Sequence, residues 1–320
     1  MTSSDSTMRA AALRRYGVPE YDTFPVPRAA PPETDVVRVL AAAVNGVDRA
    51  IAAGKHFLSP PQLPVVVGRD GVGTTTDGRL VYFDGPVAPY GSMAEQTLVP
   101  TGSLIEVPAG ADAAVAAALG NAGLAAWLPL SWRASLQPGE TVAVLGAAGY
   151  VGSLAVQAAR HLGAGAVIGV VRDAAQAEQV LRLGADQAVM TSGDRDLPDE
   201  LRRAAGGGLD VIVDYLWGPA AVAALSSAAT GARLVQVGTA SDSELALPAE
   251  VLRSRNVDLR GYVSFHAPAS LRAKTYQHLV ELSMRGELEV GVERFPLTAI
   301  DAAWSYRSDR PARRPVVVMG

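Results

Sequence analysis

A cluster of small residues stands where the chain passes from an apolar run into a stretch with helical spacing. It comprises Gly146, Ala147, Ala148, Gly149, Tyr150, Val151 and Gly152. Gly149 and Gly152 match the last two glycines of a dinucleotide-binding motif, with Ala147 in the place of the first. A residue without a Cβ lets the backbone approach a pyrophosphate, and a helix N-terminus supplies free N–H groups and a positive dipole. The pattern predicts a dinucleotide site; a tight turn without a ligand is the alternative.

The end of the following strand bears on which dinucleotide binds. Folds that use NAD carry an acidic residue about 20 residues after the motif, where it binds the ribose 2′-hydroxyl. Here Val171 stands in that place and Arg172 follows it. Because a guanidinium can form paired hydrogen bonds to a 2′-phosphate, we predict NADP(H) as the cofactor. In the alternative, Arg172 is a surface residue and Asp173 binds the ribose.

The segments around this turn alternate between strands and helices. Strands are predicted at residues 141–145, 166–171, 188–190, 211–214, 234–237 and 257–263, with helical spacing between them. Such alternation builds a parallel sheet from βαβ units. The predicted fold class is therefore α/β, with a doubly wound parallel sheet of the Rossmann type.

The flanking sections have a different character. Before residue 119, short apolar runs between prolines and glycines predict strands at residues 10–14, 36–44, 80–83, 94–99 and 104–107. Many short strands are typical of a barrel-like all-β unit. The last section predicts a helix at residues 271–285 and a strand at 315–319, and residues 1–7 are expected to be a disordered tail. A length of 320 residues suits two domains.

Composition excludes several classes of function. The chain has no cysteine, which excludes thiolate catalysis, disulfides and cysteine-based metal sites. A formal charge of −4 gives no electrostatic reason to bind nucleic acid. The most apolar stretch, residues 113–130, contains an asparagine, glycines and a proline, so no membrane span is expected. The first residues do not resemble a signal peptide, and we expect a cytoplasmic protein.

Short motifs recur in a recognisable order along nearly the whole chain. They lie at residues 44–48 (VNGVD), 63–73, 91–95 (GSMAE), 116–118, 123–127, 146–152, 214 and 235–238 (VQVG). In this order and spacing the chain resembles the medium-chain dehydrogenase/reductase superfamily, most closely its zinc-independent quinone oxidoreductase and enoyl reductase branch. The resemblance implies a GroES-like β domain from residues 8–122 and 265–320 and a Rossmann domain from residues 123–264. It also implies a homodimer joined through the last Rossmann strand.

The resemblance further implies which residues bind the cofactor. These are Asn45, Gly146, Ala148, Gly149, Tyr150, Val151, Gly152, Arg172, Val237, Gly238 and Val263. By the same pattern, Asn45 is a catalytic candidate near the nicotinamide ribose or the substrate oxygen; a buried asparagine that satisfies backbone groups is the alternative. His56 stands where the branch often has a tyrosine. A histidine with a pKa near neutrality could donate a proton, although a surface role is the alternative.

The resemblance also has departures that concern a metal. Zinc-dependent relatives have a cysteine where Asn45 stands and a His-Glu pair where Arg69 and Asp70 stand, so we expect no metal. The predicted function is NADPH-dependent reduction of a small molecule, either a quinone or the activated C=C bond of an α,β-unsaturated carbonyl. Two alternatives stay open: a zinc-free dehydrogenase acting on a C–O or C=N bond, and a cofactor-binding protein without turnover.

Overall fold

The first part of the chain folds into short β-strands around one short helix. The computed structural model describes residues 6–192, 196–307 and 312–320. The elements of this part are β1 (Thr7–Leu13), β2 (Glu20–Pro25), β3 (Thr34–Ala43), α1 (Gly46–Ala52), β4 (Val65–Val66), β5 (Asp70–Thr75), β6 (Leu80–Asp84), β7 (Gln96–Pro100) and β8 (Ile105–Glu106). Residues 1–5 of the predicted tail lie outside the described residues. Thr7, which was assigned to that tail, already belongs to β1.

The sequence prediction misses β2 and β5 because they lack an apolar run, and it misses β4 because this strand has only two residues. The side chains of β2 are mostly exposed, and β5 is rich in glycine. A Cβ on Gly73 would lie 2.3 Å from the carbonyl oxygen of Arg38, and one on Gly71 would lie 2.9 Å from that of Ala41. These glycines allow the close approach of β3, a requirement that is visible only in the folded chain.

A long apolar helix follows the strands. Helix α2 (Ala113–Leu128) is interrupted at Gly120, whose ψ is −105°, and it continues into a π-helical turn at Pro129–Ala134. Among the described residues this stretch alone is long and apolar enough to cross a membrane, but 78% of its apolar window is buried inside the protein. Burial to this extent is typical of a core helix.

The middle of the chain forms the predicted parallel sheet. Its elements are β9 (Thr141–Leu145), α3 (Tyr150–His161), β10 (Ala166–Val171), α4 (Ala174–Arg182), β11 (Gln187–Met190), α5 (Leu197–Ala205), β12 (Leu209–Asp214), α6 (Pro219–Ser226), β13 (Ala228–Gln236), α7 (Ala249–Arg253) and β14 (Asp258–Gly261). The strand order is β11-β10-β9-β12-β13-β14, with parallel pairing at each described step. The α/β prediction is confirmed. Strands β9 and β10 are buried along nearly their whole length, as expected when helices cover both faces.

The end of the chain returns to the β-rich section. It contains α8 (Ala269–Met284), β15 (Val292–Pro296), α9 (Ile300–Ser305) and β16 (Arg314–Val318). Because β16 pairs antiparallel with β3, the sheet order is β15-β16-β3-β5-β6-β8, and β7 also pairs with β3. One compact unit thus combines the residues up to Ala122 with Ala269–Gly320, and the other is Gly123–Pro268. The sequence placed this second boundary between residues 264 and 265.

Candidate functional site

The turn between β9 and α3 has a backbone path that requires glycine. Gly146 has a φ of +80°, a left-handed conformation that other residues rarely adopt. The N–H groups of Gly146 and Ala147 both donate to the carbonyl oxygen of Val170, each at 3.1 Å, which holds the turn at the end of β10. A Cβ on Gly152 would lie 2.2 Å from the carbonyl oxygen of Gly146. The first turn of α3 therefore packs directly on the loop.

The N-terminus of α3 fits the pyrophosphate of a dinucleotide. Gly149 is the N-cap residue and makes no side-chain capping bond, and the first turn contains no acidic side chain. The N–H groups of Val151 and Gly152 lie in that first turn, where a helix provides no acceptor of its own. Together with the helix dipole, such N–H groups attract a phosphate. The donor chemistry of this turn thus matches an anionic group.

At the end of β10, Asp173 and Arg172 have different engagements. Asp173 is the N-cap of α4, and its Oδ1 accepts from the backbone N–H of Gln176 at 3.0 Å. Arg172 uses its backbone N–H, which donates to Oε1 of Gln176 at 2.9 Å, and its carbonyl oxygen, which accepts from the hydroxyl of Ser192. Its side chain is exposed. Oδ1 of Asp173 is thus used by a helix cap, whereas the exposed guanidinium of Arg172 stays a candidate for a 2′-phosphate.

Backbone hydrogen bonds join the carboxyl end of β13 to those of β12 and β14. The carbonyl oxygen of Asp214 accepts from the N–H groups of Val237, at 2.8 Å, and Gly238, at 3.2 Å. The carboxylate Oδ1 of Asp214 accepts from the N–H groups of the two loop residues 216 and 217, and burial raises the pKa of this carboxyl group. Val263 follows β14 and is 36% exposed. The predicted cofactor residues of this region therefore lie on loops at one edge of the parallel sheet.

Two tyrosine hydroxyls fasten the end of α2 in the same unit. The hydroxyl of Tyr215 donates to the carbonyl oxygen of Ala125 at 2.9 Å, and that of Tyr262 donates to the carbonyl oxygen of Leu124 at 2.9 Å. The usual helical donor to Ala125 would be the backbone nitrogen of Pro129, which has no hydrogen. Tyr215 therefore satisfies a carbonyl that the proline leaves without a partner, and it fixes the loop after β12.

In the β-rich unit, Asn45 belongs to a buried polar cluster. The cluster consists of Asn45, Asp48, Asp70 and Tyr82, each at most 3% exposed. Nδ2 of Asn45 donates to Oδ1 of Asp70 at 2.8 Å, and the backbone N–H of Asn45 donates to Oδ2 of Asp48 at 2.7 Å. Asn45 is also the N-cap of α1, in a reciprocal capping box with Asp48. Both Asn45 and its capping partner are thus held by more than one hydrogen bond.

The two carboxyl groups of this cluster have raised pKa values. Burial raises the pKa of Asp48 to about 6, against two backbone N–H donors that lower it. Burial raises the pKa of Asp70 to about 7, with further contributions from the charges of Asp48 and Asp84. Two titratable carboxyl groups therefore lie beside Asn45. Sequence reasoning treated Asp70 only as a replacement for a metal ligand; the signal it missed is a carboxylate at the first residue of a buried strand.

His56 lies on the loop after α1 in a defined tautomer. Its Nδ1 accepts from the backbone N–H of Leu58 at 3.2 Å, so the proton of the neutral ring is on Nε2. The ring stacks on Phe57 at 4.3 Å between centroids. Burial and the charge of Arg69 lower the pKa of His56. These surroundings disfavour the imidazolium form, and the role of His56 as a proton donor stays a prediction.

The donor set of the cluster does not suit a structural or catalytic zinc ion. Within residues 6–192, 196–307 and 312–320, no three His, Cys, Asp or Glu side chains are grouped so that they could hold a metal. In place of thiolates and imidazoles, the cluster offers an amide and carboxylates that are already bonded to N–H groups. Zinc in proteins prefers thiolate and imidazole ligands.

The fold and the turn define a dinucleotide-binding protein, and comparison with known proteins refines this class. A family model described as zinc-binding dehydrogenase matches residues 151–283. The quinone oxidoreductase of Thermus thermophilus, whose structure was also solved in complex with NADPH, is 31% identical to this chain. The two structures superpose with a TM-score of 0.82, and the match covers 97% of this chain and 100% of that chain.

Two curated relatives extend the comparison. The 2-haloacrylate reductase of Burkholderia sp is 31% identical over 65% of this chain and 66% of its own length. The quinone oxidoreductase-like protein 2 of Mus musculus is 29% identical over 73% of this chain and 69% of its own length. The chain belongs to the medium-chain dehydrogenase/reductase superfamily, in its quinone oxidoreductase branch. The resemblance carried by the sequence motifs is confirmed.

Proposed function

We propose that the protein is an NADPH-dependent oxidoreductase that transfers hydride, without a metal, to a quinone or to the activated C=C bond of an α,β-unsaturated carbonyl. The observation that carries the proposal is the different engagement of the two charged residues that follow β10. Asp173 caps α4, while the neighbouring Arg172 is exposed and available to a 2′-phosphate. A relative from Emericella nidulans, 27% identical over 93% of this chain, is described as a probable NADPH-dependent quinone reductase.

The residues of the parallel-sheet unit hold the cofactor in this proposal. The N–H groups at the start of α3 bind the pyrophosphate, and Arg172 binds the 2′-phosphate. The backbone of Val237 and Gly238, with Val263, lines the nicotinamide end. When bound, NADPH supplies the hydride, and the protein supplies orientation and hydrogen bonds.

The resemblance assigns two residues of the β-rich unit, Asn45 and His56, to the ribose and the substrate. Because Nδ2 of Asn45 is engaged by Asp70, Asn45 offers its carbonyl oxygen, which suits a ribose hydroxyl. His56 offers the Nε2–H of its neutral ring to the substrate oxygen, where negative charge develops during reduction. The names of two relatives, a quinone oxidoreductase and a 2-haloacrylate reductase, support an acceptor of this kind.

A homodimer and a cytoplasmic location complete the proposal. Strand β14 is the last strand in the sheet order, and Leu259 and Phe265 beside this edge are 42% and 39% exposed. Pairing of β14 with its copy in a second subunit would cover this edge. Light scattering should show a dimeric mass that becomes monomeric in Leu259→Glu, and a monomeric wild-type protein would refute the arrangement. Cell fractionation tests the location.

The experiment that tests the function is a panel of substrates, in which the loss of nicotinamide absorbance measures the consumption of NADPH. NADPH should be consumed with 1,4-benzoquinone or with a simple enone, and NADH should be used less efficiently. Activity should persist after dialysis against a chelator. Consumption of NADPH with simple aldehydes, ketones or imines alone would favour the C–O or C=N alternative. Tight NADPH binding without consumption against the whole panel would favour a binding protein.

A further inference from the structure

The carboxylate of Asp70 receives three hydrogen bonds at the centre of the buried polar cluster. Its Oδ1 accepts from Nδ2 of Asn45 at 2.8 Å. Its Oδ2 accepts from the hydroxyl of Tyr82 at 3.2 Å and from the backbone N–H of Asn121 at 2.8 Å. The Asn121 donor lies just after the break in α2 at Gly120. Asp70 therefore connects the Asn45 loop, strand β6 and α2.

The charges that face Asp70 come from several elements. The carboxylates of Asp48 on α1 and Asp84 on β6 act on Asp70 by their charge, the neutral phenols of Tyr82 and Tyr276 lie close by, and the guanidinium groups of Arg69 and Arg272 pair with Asp84. Both guanidinium groups lie on Asp84, at 3.4 and 3.7 Å. Tyr276 stacks on Tyr82 at 4.4 Å between ring centroids. Within the described part of the chain, no salt bridge includes Asp70, and its three hydrogen-bond donors are uncharged.

The two oxygens of Asp70 have different freedom to carry a proton. An ionised carboxylate can only accept hydrogen bonds, so it requires the Nδ2 end of Asn45 to face it. Oδ2 already accepts from two donors, and one of them, the Asn121 N–H, cannot reverse its role. A proton on the neutral group is therefore best placed on Oδ1, where it would point at Asn45. The carbonyl end of Asn45 would then have to face Asp70.

We propose that Asp70 is a positioning residue whose charge decides which end of the Asn45 side-chain amide is turned toward it and which end is left for the ligand. Ionised Asp70 leaves the oxygen of Asn45 free to accept from a ribose hydroxyl and from the N-terminus of α1. Neutral Asp70 turns the NH₂ group to that side, where it meets N–H donors. The inference rests on the proposed function in one respect, the contact between Asn45 and the ribose.

The ionisation of Asp70 falls in a pH range where the protein can be studied. Burial raises the pKa of Asp70 to about 7. The amide of Asn45 should therefore be held by ionised Asp70 above this pH and reversed below it. Asp48 must be separated from this effect, because burial raises its pKa to about 6. The variant Asp70→Asn imitates the neutral state, since its NH₂ group takes the place of Oδ1 and points at Asn45.

The first test follows the side-chain amide of Asn45 by ¹⁵N-resolved NMR, with the signals identified by their loss in Asn45→Asp. In the wild-type protein the two amide protons should change shift and exchange rate across the Asp70 transition. In Asp70→Asn they should resemble the acidic wild-type form at every pH. The matched control Asp84→Asn changes the register partner of Asp70 on β6 and should keep the transition, moved to a lower pH because the charge of Asp84 raises the pKa of Asp70. Signals that do not depend on pH, or a transition that disappears only in Asp48→Asn, would overturn the inference.

The second test measures NADPH binding by nicotinamide fluorescence. Loss of one hydrogen bond to the ribose should weaken binding about threefold to tenfold in Asp70→Asn at alkaline pH. The exchanged pair Asn45→Asp with Asp70→Asn restores a donor facing an acceptor and should recover most of this loss, whereas Asn45→Asp alone should not. Equal binding by all these variants would contradict the inference. The NMR result does not depend on turnover, so failure of the proposed reaction can be recognised separately.

Discussion

Removal of the Arg172 side chain should separate the two nicotinamide cofactors. Among the described residues, no hydrogen bond or ion pair engages its guanidinium, so Arg172→Ala should leave the melting temperature nearly unchanged. A hydrogen bond to a charged group contributes about 1.5–3 kcal/mol. At about 1.4 kcal/mol per tenfold change, affinity for NADPH should fall about 10- to 100-fold. The exposure of Arg172 favours the lower part of this range, because solvent and salt screen the contact.

The assay is titration of both reduced cofactors by nicotinamide fluorescence, at low and high salt. NADH, which lacks the 2′-phosphate, should bind Arg172→Ala and the wild-type protein about equally. Arg172→Lys keeps the charge but loses the paired geometry, so its affinity should be intermediate. Asp173→Ala is the neighbouring control: loss of the α4 cap should cost about 0.5–2 kcal/mol of stability. Equal losses for both cofactors in Arg172→Ala, or a wild-type preference for NADH, would refute the reasoning.

The remaining predictions concern the turn, the buried carboxyl group and the metal. Gly152→Ala should lower the melting temperature and abolish NADPH binding, because its Cβ would lie 2.2 Å from a backbone oxygen. The control Gly149→Ala, whose Cβ would lie 3.3 Å from the same oxygen, should fold normally. Equal melting temperatures of the two variants would contradict the prediction. The pKa of Asp70, raised to about 7, means that the folded state retains a proton that the unfolded chain releases. Stability should therefore fall as pH rises from about 4 to 8, and urea unfolding should show a flatter profile in Asp70→Asn. Elemental analysis should find no stoichiometric zinc, and chelator treatment should leave activity intact; a chelator-sensitive enzyme would show that a metal site exists.

The sequence motifs predicted the glycine turn between β9 and α3, but not the surroundings of the catalytic candidates. Gly146–Gly152 could be recognised because a turn that must pass close to a phosphate imposes glycine locally, whatever surrounds it. The states of Asn45 and His56 could not be predicted in this way. The amide orientation of Asn45 depends on Asp70, which is 25 residues away in the chain. The neutral form of His56 depends on burial and on the charge of Arg69.

Local patterns by themselves determined the alternation of the parallel sheet. Strands β9 and β10 begin and end where the apolar runs do, since a buried strand flanked by polar turns is a local property of the chain. Only the tertiary structure decided that β16 completes the sheet of β3 and that the glycine-rich β5 is a strand. It also decided that Asp70 meets Asn45, Tyr82 and Asn121. These features depend on groups that are distant in sequence, and neither hydrophobic period nor spacing records which of them burial brings together.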